Sequence, residues 1–472
     1  MASVTLAILA GSTPSASQVS ASMNSASPLQ APKGTRDFYP EDMRLQNHMF
    51  DAWRRACLDF GFEEYEGPTF EHLELFTEKS GQEIVTQLYN FKDKGDRDIA
   101  LRPEMTPTLA RMVNQKGNSL KLPLRWFSVP RLFRYEKAQR GRLREFFQLN
   151  MDILGCDGVA AEVELLSAII EMLKAFGLSG TDFSVNVSSR RLLSEFLDRQ
   201  GVPAEKKNPV YAALDKRAKI GEEEFRRLLE KEGLTAASVD AVEQFFKCKS
   251  LEELRAYFPE AAIAPESAVA PADAAQAAKT PEAPKSGLWE LETLFKFMDS
   301  IGYGEYLKLD LSVVRGLAYY TGIVFEVYDR DKSLRAIAGG GRYDNLLANL
   351  GGLSLSGVGF GMGDVVLYEF LKEKNLLPSG RNALDYYLLD VAPGADRLPN
   401  PALLRLAQGL RAKGKRVGYS LSGEKFKKQM GQANDQGAKR VLFFGSDKAP
   451  EGAYEIKDMV SGEQKIAGLE DL

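Results

Sequence analysis

Histidine and cysteine are scarce in this chain of 472 residues. Its three cysteines, Cys57, Cys156 and Cys248, lie far apart without CxxC spacing, which argues against a disulfide framework or a thiolate metal site and fits a reducing compartment. The chain has only two histidines, His48 and His72. A histidine-rich zinc centre is therefore excluded, and a Ser-His-Asp triad would have to use one of these two residues. Any catalysis must therefore depend on Arg, Glu, Gln and Tyr side chains.

The sequence also lacks an excess of positive charge and long hydrophobic runs. Because 61 Lys and Arg stand against 65 Asp and Glu, any contact with nucleic acid must rest on local basic clusters. No apolar run approaches the roughly 20 residues that a membrane helix needs, which excludes an integral membrane protein. The length predicts two or three domains.

Two segments lack the composition of a folded core. Residues 1–31 contain no charged side chain, and they have neither the basic start of a secretory signal nor the arginines of a transit peptide. We predict a non-globular extension and a cytoplasmic location, with an organellar address as the alternative. Within 261–284, 15 of 24 residues are Ala or Pro. This composition predicts a disordered loop over 261–286, inside a Lys/Glu-rich helical insertion over 190–287.

The remaining segments carry the periodicities of folded domains. Residues 32–189 and 288–378 contain short strand patterns separated by turns and helices, and neighbouring strands favour antiparallel pairing. Residues 385–472 alternate strands with helices, which predicts a three-layer α/β domain with parallel strands.

A hairpin over residues 125–155 is the most informative stretch for chemistry. Side chains alternate between the faces of a strand, so Arg134 and Glu136 share one face, as do Phe146, Gln148 and Asp152 on the return strand. If the register aligns these faces, the hairpin offers a guanidinium for phosphate, a ring for stacking and polar groups for an ammonium. This set suits an amino acid beside a nucleotide, although an ordinary solvated hairpin has the same spacing.

Two further segments are candidates. The hairpin loop is basic enough to reach a polyphosphate or the end of a nucleic acid, through Lys137, Arg140, Arg142 and Arg144. Residues 313–322 (VVRGLAYYTG) place Arg315 beside two tyrosines, which equally fit a polar ligand or a buried core. The AGGGRYD segment at 338–344 lacks the GxxxxGK[ST] pattern, so a P-loop is a weak interpretation.

Three of these stretches resemble a known family. Residues 125–155 resemble motif 2 of class II aminoacyl-tRNA synthetases, while LRPEMT (101–106) and RGLAYYTG are similar to the paired histidine signatures of histidyl-tRNA synthetases. The resemblance covers nearly all of 32–472. It implies an α+β catalytic domain on an antiparallel sheet in two parts, 32–189 and 288–378, with a helical insertion between them. It further implies an anticodon-binding domain over 385–472 and a homodimer, with Pro68 as the motif 1 proline.

The resemblance also implies roles for individual residues. Glu104 and Tyr320 would read the imidazole of L-histidine, and Thr106, Gln148 and Asp152 would hold its α-amino group. The full histidine site would comprise Glu104, Met105, Thr106, Arg134, Gln148, Asp152, Arg315, Tyr319 and Tyr320.

For ATP, the resemblance implies that Arg134 bridges the histidine carboxylate and the α-phosphate. Glu136 would contact adenine, Phe146 would stack on it, and Arg142 and Arg144 would reach the outer phosphates. Arg134 and Arg315 would be the catalytic residues, acting on transition-state charge without a covalent enzyme intermediate. Mg²⁺ would arrive with ATP, without fixed protein ligands. The acceptor end of tRNA(His) would contact Lys137, Gln139 and Arg140.

Two positions depart from the family pattern. Ala318 replaces the usual Asp after RGL, and Val366 stands where class II enzymes usually keep the arginine that holds the γ-phosphate. We predict a ligase that activates histidine as histidyl-adenylate and transfers it to tRNA(His). The alternative is a catalytically silent histidine sensor, similar to the regulatory subunit of ATP phosphoribosyltransferase. Retention of Arg134, Arg142 and Arg315 favours the ligase.

Overall fold

The structure is a computed structural model that describes residues 30–77, 85–217, 220–259, 286–313, 319–378, 384–394, 396 and 398–471. The chain divides into a larger compact unit that ends at Leu376 and a smaller one of Leu377–Leu472, with which Phe38–His48 are grouped. Almost all of the predicted extension and of the Ala/Pro-rich loop, together with Arg315 and Ala318, lie outside the described residues. Within the described ranges, no helix is both long and apolar enough to cross a membrane.

The strands of the larger unit are short, except for one of ten residues that follows the basic loop. They are β1 Glu63–Glu64, β2 Phe70–His72, β3 Tyr89–Lys92, β4 Asp98–Leu101, β5 Leu124–Ser128, β6 Arg131–Phe133, β7 Glu145–Leu154, β8 Phe183–Ser189, β9 Leu307–Leu309, β10 Ile323–Asp329, β11 Ala338–Arg342 and β12 Gly357–Gly363.

The helices up to residue 373 include a consecutive series over the predicted insertion. They are α1 Pro40–Asp59, α2 Glu74–Thr77, α3 Thr106–Lys116, α4 Ala160–Ala175, α5 Arg190–Arg199, α6 Ala204–Lys216, α7 Glu222–Lys231, α8 Ala236–Phe245, α9 Leu251–Arg255, α10 Gly287–Ser300, α11 Leu346–Asn349 and α12 Asp364–Glu373.

A nine-stranded sheet organises the larger unit. Its order is β1-β5-β7-β12-β11-β10-β8-β9, and β6 also pairs with β7. Among the described strands of this sheet, only the outer pairs β1/β5 and β8/β9 are parallel, which confirms the predicted antiparallel α+β fold. A separate three-stranded sheet has the order β2-β4-β3.

The two faces of the large sheet carry different residues. On β12, Val358, Phe360 and Met362 are buried, while the residues between them are glycines. At one end of the glycine face, α3 closes a cluster in which its Leu109 packs with Tyr343. The glycines therefore leave space above the middle of the sheet.

The smaller unit has three layers. Its elements are β13 Tyr386–Asp390, α13 Pro401–Ala412, β14 Val417–Tyr419, α14 Phe426–Asp435, β15 Arg440–Phe444, β16 Ala453–Asp458 and β17 Gln464–Gly468, in the sheet order β14-β13-β15-β16-β17. Alternate residues of β13 pack on opposite helices, Leu388 with α13 and Leu389 with α14. The prediction of parallel strands holds for the first three strands. It missed the antiparallel β16 and β17, which turn at Gly462 with φ of 76°.

Candidate active site

The hairpin places the predicted site residues on one surface of the sheet. Leu132 of β6 lies opposite Phe146 of β7, and Arg134 continues the same alternation because its backbone N–H donates to the Arg144 carbonyl. Phe146, Gln148 and Asp152 therefore share a face with Arg134, as the strand periodicity predicts.

Arg134 lies over the aromatic ring at the end of this surface. Its Cζ is 5.5 Å from the centroid of the Phe146 ring. Its Nε donates to the carbonyl oxygen of Pro103 at 2.8 Å, which fixes the guanidinium plane. No carboxylate of the described residues pairs with Arg134, so its terminal nitrogens can receive an anion.

Glu136 and two arginines form a compact charged group beside this ring. Arg142 makes an ion pair with the Glu136 carboxylate, which is largely buried. Arg144 donates from Nε to the Glu136 carbonyl oxygen at 3.0 Å, and its Cζ lies 4.3 Å from the Tyr135 ring centroid. Both predicted phosphate-binding arginines are thus held near the adenine-binding candidate.

The tip of the basic loop is a tight turn. Gln139 and Arg142 exchange backbone hydrogen bonds around Gly141, whose φ of 75° is unfavourable for residues with a side chain. Lys137 is exposed. Arg140, a predicted tRNA contact, pairs with the α12 carboxylates of Glu373 and, at 3.7 Å, Glu369.

The imidazole-binding candidates lie where α3 begins. Glu104 is buried and accepts a hydrogen bond from the Tyr319 hydroxyl at 3.0 Å. Burial first, and the Glu104 charge second, raise the pKa of Tyr319 well above its ordinary value. Buried Met105 caps α3, and Thr106 is its first residue. Tyr319 therefore donates to Glu104, and the role of Tyr320 in reading the imidazole with Glu104 stays a prediction.

Asp152 is the second buried carboxyl group. The Tyr343 hydroxyl donates to its Oδ1 at 2.5 Å. Burial raises the pKa of Asp152 from 3.8 to about 7, although this hydrogen bond acts in the opposite direction. A Cβ added at Gly359 would lie 1.9 Å from Asp152 Oδ1, so only glycine leaves room for the carboxyl group.

Two tyrosines connect the two carboxyl groups. The rings of Tyr319 and Tyr343 meet edge to face with centroids 5.9 Å apart, and Tyr320 is buried beside Tyr319 at 5.1 Å. Gln148 lies along the same strand as Asp152, and a Cβ at Gly361 would come within 2.6 Å of its Nε2. The site thus presents two buried acids at the ends of an aromatic pair.

Sequence reasoning missed Tyr343, which belongs to the AGGGRYD segment. This segment forms β11 in the middle of the sheet, and its Arg342 is buried against Glu162 at 2.6 Å. Sequence reasoning also missed Asp364, which lies two residues before Val366, is buried and accepts a hydrogen bond from the Phe147 backbone N–H at 3.0 Å. No local pattern marks these pairs, since their partners are distant in the sequence.

The described part of the chain has no recognisable cluster of metal ligands. It contains no cluster of three or more His, Cys, Asp or Glu side chains that could hold an ion.

Comparisons with known proteins agree on one family. A family model described as histidyl-tRNA synthetase matches residues 34–363, and one described as an anticodon binding domain matches residues 391–472. A chloroplastic/mitochondrial histidine--tRNA ligase from Arabidopsis thaliana is 42% identical over 94% of this chain and 86% of its own. A histidine--tRNA ligase from Opitutus terrae is 40% identical over 92% and 94%, respectively. The solved histidyl-tRNA synthetase of Nostoc sp. PCC 7120 has a TM-score of 0.73 at 24% identity, covering 94% of this chain and 98% of that chain, a likeness of fold.

Proposed function

Since the chain belongs to the histidyl-tRNA synthetase family, we propose that it ligates L-histidine to tRNA(His) through histidyl-adenylate, with Asp152 and Glu104 holding the two ends of histidine. The observation that carries this assignment is the row of two buried carboxyl groups joined by Tyr319 and Tyr343. Histidine has nitrogen donors at both ends, so it complements a site with an acidic acceptor at each end.

Asp152 is assigned to the α-ammonium group, together with Gln148 and Thr106. A carboxyl group with a pKa raised by burial gains most from a cation, because the cation restores the solvation lost on burial. Glu104 and Tyr320 are assigned to the imidazole, with Met105 and Tyr319 shaping the pocket. The hydroxyl of Tyr319 orients the Glu104 carboxylate toward a ring N–H.

ATP is assigned to the surface of Arg134 and Phe146. Adenine would stack on Phe146 beside Glu136, and Arg134 would bridge the histidine carboxylate and the α-phosphate. A carboxylate oxygen of histidine then forms the bond to the α-phosphorus while the bond to the β-phosphate oxygen breaks, and Mg²⁺-pyrophosphate leaves. Arg134 and Arg315 would stabilise the charge that develops on the phosphate.

Single-turnover formation of histidyl-adenylate tests this function. Mixing the protein with histidine, ATP and Mg²⁺ should give histidyl-AMP and pyrophosphate, and adding tRNA(His) should discharge it to histidyl-tRNA and AMP. Arg315→Ala should lower the rate of adenylate formation by orders of magnitude with little change in histidine Kd, because its role lies in the transition state. Pyrophosphate exchange within about tenfold of the unaltered protein would contradict that role.

The histidine-sensor alternative rests on Val366 alone. A sensor would bind histidine but form no adenylate, so the same single-turnover experiment separates the two functions. The terminal nitrogens of Arg134, which pair with no carboxylate of the described residues, and the three-layer unit over 385–471 support the ligase, because a sensor needs neither.

The smaller unit is proposed to bind the anticodon stem and loop. Lys425 and Lys427 are exposed at the start of α14, next to Phe426, whose side chain is 48% exposed. Lysine ammonium groups suit phosphates and an exposed ring suits an unstacked base. Lys137, Gln139 and Arg140 are proposed to contact the acceptor end, which requires Arg140 to leave its α12 partners.

A homodimer is also proposed. Phe70 and Phe91 are 54% and 49% exposed, and both pair with odd-numbered residues of β4, so they lie on one face of the three-stranded sheet. Two large exposed rings on one face are typical of a covered interface, and Pro68 directly precedes this sheet. Light scattering at micromolar concentration should give twice the mass of the chain.

The cytoplasm is the proposed compartment, with an organelle as the alternative. The chloroplastic/mitochondrial name of the Arabidopsis relative supports the alternative. Fluorescent fusions of the full chain, with and without residues 1–31, distinguish the two.

A further inference from the structure

The position of Val366 in α12 leaves the outer phosphates of ATP without an expected partner. Val366 is largely buried and carries no charge. The triphosphate of ATP needs several cationic contacts, because its charge spreads over the β- and γ-phosphates as the leaving group forms. A cationic residue of another element could contact these phosphates instead, provided that its side chain lies close to that of Val366.

Arg335 lies at that place. It belongs to the connection between β10 and β11, and its side chain is exposed. A Cβ built on Gly141, at the tip of the basic loop, would lie 3.4 Å from Val366 Cγ2 and 3.7 Å from Arg335 Cδ. The stem of Arg335 and the methyl group of Val366 therefore approach the same point, from two different elements.

The charge around Arg335 is suited to an anion. Arg335 forms no ion pair or hydrogen bond with the rest of the described chain, whereas Arg142 already shares the Glu136 carboxylate. Partial desolvation, and next the charge of Arg142, lower the pKa of Arg335, while Glu136 acts in the opposite direction. Two guanidinium groups near a single carboxylate leave one positive charge uncompensated.

We propose that Arg335 binds the outer phosphates of ATP and thereby replaces the cation that Val366 cannot provide. This inference rests on the proposed function, because it takes ATP as the substrate of this site. The planar guanidinium can contact two phosphate oxygens, and its stem at Gly141 directs it toward the ligand that Arg142 also reaches.

ATP–pyrophosphate exchange at saturating histidine tests the proposal in the full chain. Arg335→Ala should raise the KM for ATP about tenfold or more, the loss expected for one charged hydrogen-bonding group. The KM for histidine should change less than about twofold, and Arg335→Lys should recover part of the loss. Arg227→Ala, at an exposed position of α7 in the insertion, is the matched control and should behave like the unaltered protein.

Two further measurements separate a phosphate contact from a structural effect. Calorimetry should show weaker binding of α,β-methylene-ATP by Arg335→Ala but unchanged binding of AMP, which lacks the outer phosphates. Adding Val366→Arg to Arg335→Ala should restore the KM for ATP, because it returns a cation to the same place from α12.

Three outcomes would overturn the inference. They are a KM for ATP within about twofold of the unaltered protein, an equal loss of AMP and α,β-methylene-ATP binding, and a defect confined to the KM for tRNA. If the unaltered chain itself catalyses no histidine-dependent exchange, the proposed function fails instead. That result is distinguishable because it appears before any substitution is made.

Discussion

Replacing Asp152 by Asn should stabilise the ligand-free protein at alkaline pH and weaken its affinity for histidine. The carboxyl group is buried beneath Tyr343, and its pKa is raised from 3.8 to about 7 by burial. An Asn side chain retains an acceptor for the Tyr343 hydroxyl and carries no charge at any pH. The two effects of the substitution therefore have opposite signs.

The magnitude follows from the linkage between protonation and folding. The pKa of Asp152 is higher in the folded protein than in the unfolded chain, so the folded protein holds the proton between pH 3.8 and about 7 and loses stability as pH rises through this window. The shift corresponds to about 4 kcal/mol once the carboxyl group is charged. We expect the variant to exceed the unaltered protein in stability by up to this amount at pH 8, and the difference to shrink toward pH 4.

Melting curves at several pH values between 5 and 8 provide the assay, with Asp435→Asn as the control. Asp435 ends α14 and is exposed, so the same substitution there removes a carboxyl group without relieving burial. Calorimetric titration should show histidine affinity lowered at least about tenfold in Asp152→Asn, since a charged partner of the ammonium group is lost.

Two results would refute this reasoning. A stability difference that is constant from pH 5 to 8 would show that ionisation of Asp152 does not lower the stability of the folded protein in this range. Unaltered histidine affinity would show that another group holds the ammonium.

Three further experiments test the imidazole-binding residue, the space around Asp152 and the smaller unit. Glu104→Gln should weaken histidine binding by roughly 1–3 kcal/mol, because it removes the charge from the hydrogen bond to the ring N–H; unchanged affinity in calorimetry would place the imidazole elsewhere. Gly359→Ala should abolish detectable histidine binding by displacing Asp152, whereas Gly363→Ala, where an added Cβ meets nothing within 4 Å, should leave it intact. Lys425→Ala combined with Lys427→Ala should weaken tRNA binding and lower its salt dependence by about two phosphate contacts, and equal salt slopes would remove this helix from the interface.

The features that local periodicity determines could be predicted from the sequence. Strand alternation in β6 and β7 was sufficient to place Phe146 and Asp152 on one face, and the antiparallel sheet followed from neighbouring strand patterns. The partner of Asp152 could not be predicted in the same way, because Tyr343 is 191 residues away in the chain. Its place depends on β11 and β7 flanking β12, which is a property of the whole sheet.

The partners of a charged residue in the basic loop could not be predicted from the sequence either. Its sequence predicts a cationic tip, but the acidic partners of Arg140 come from α12, which begins more than 200 residues later. The sequence alone therefore favours an arginine ready for nucleic acid, while the structure shows one paired with Glu373, so the proposed tRNA contact requires Arg140 to exchange this partner for a phosphate. Because exposed ion pairs contribute little to stability, this exchange has a small energetic cost.

The space for the substrate depends on residues that have no side chain. Along β12, glycine alternates with large apolar residues, so the face that packs into the core is filled and the opposite face is bare. Asp152 and Gln148 occupy the space that Cβ atoms at Gly359 and Gly361 would take. The proposed contacts of these two side chains with the substrate therefore depend on the glycines of β12. Glycines have no functional group of their own, yet those at 359 and 361 determine which positions the side chains of Asp152 and Gln148 can occupy.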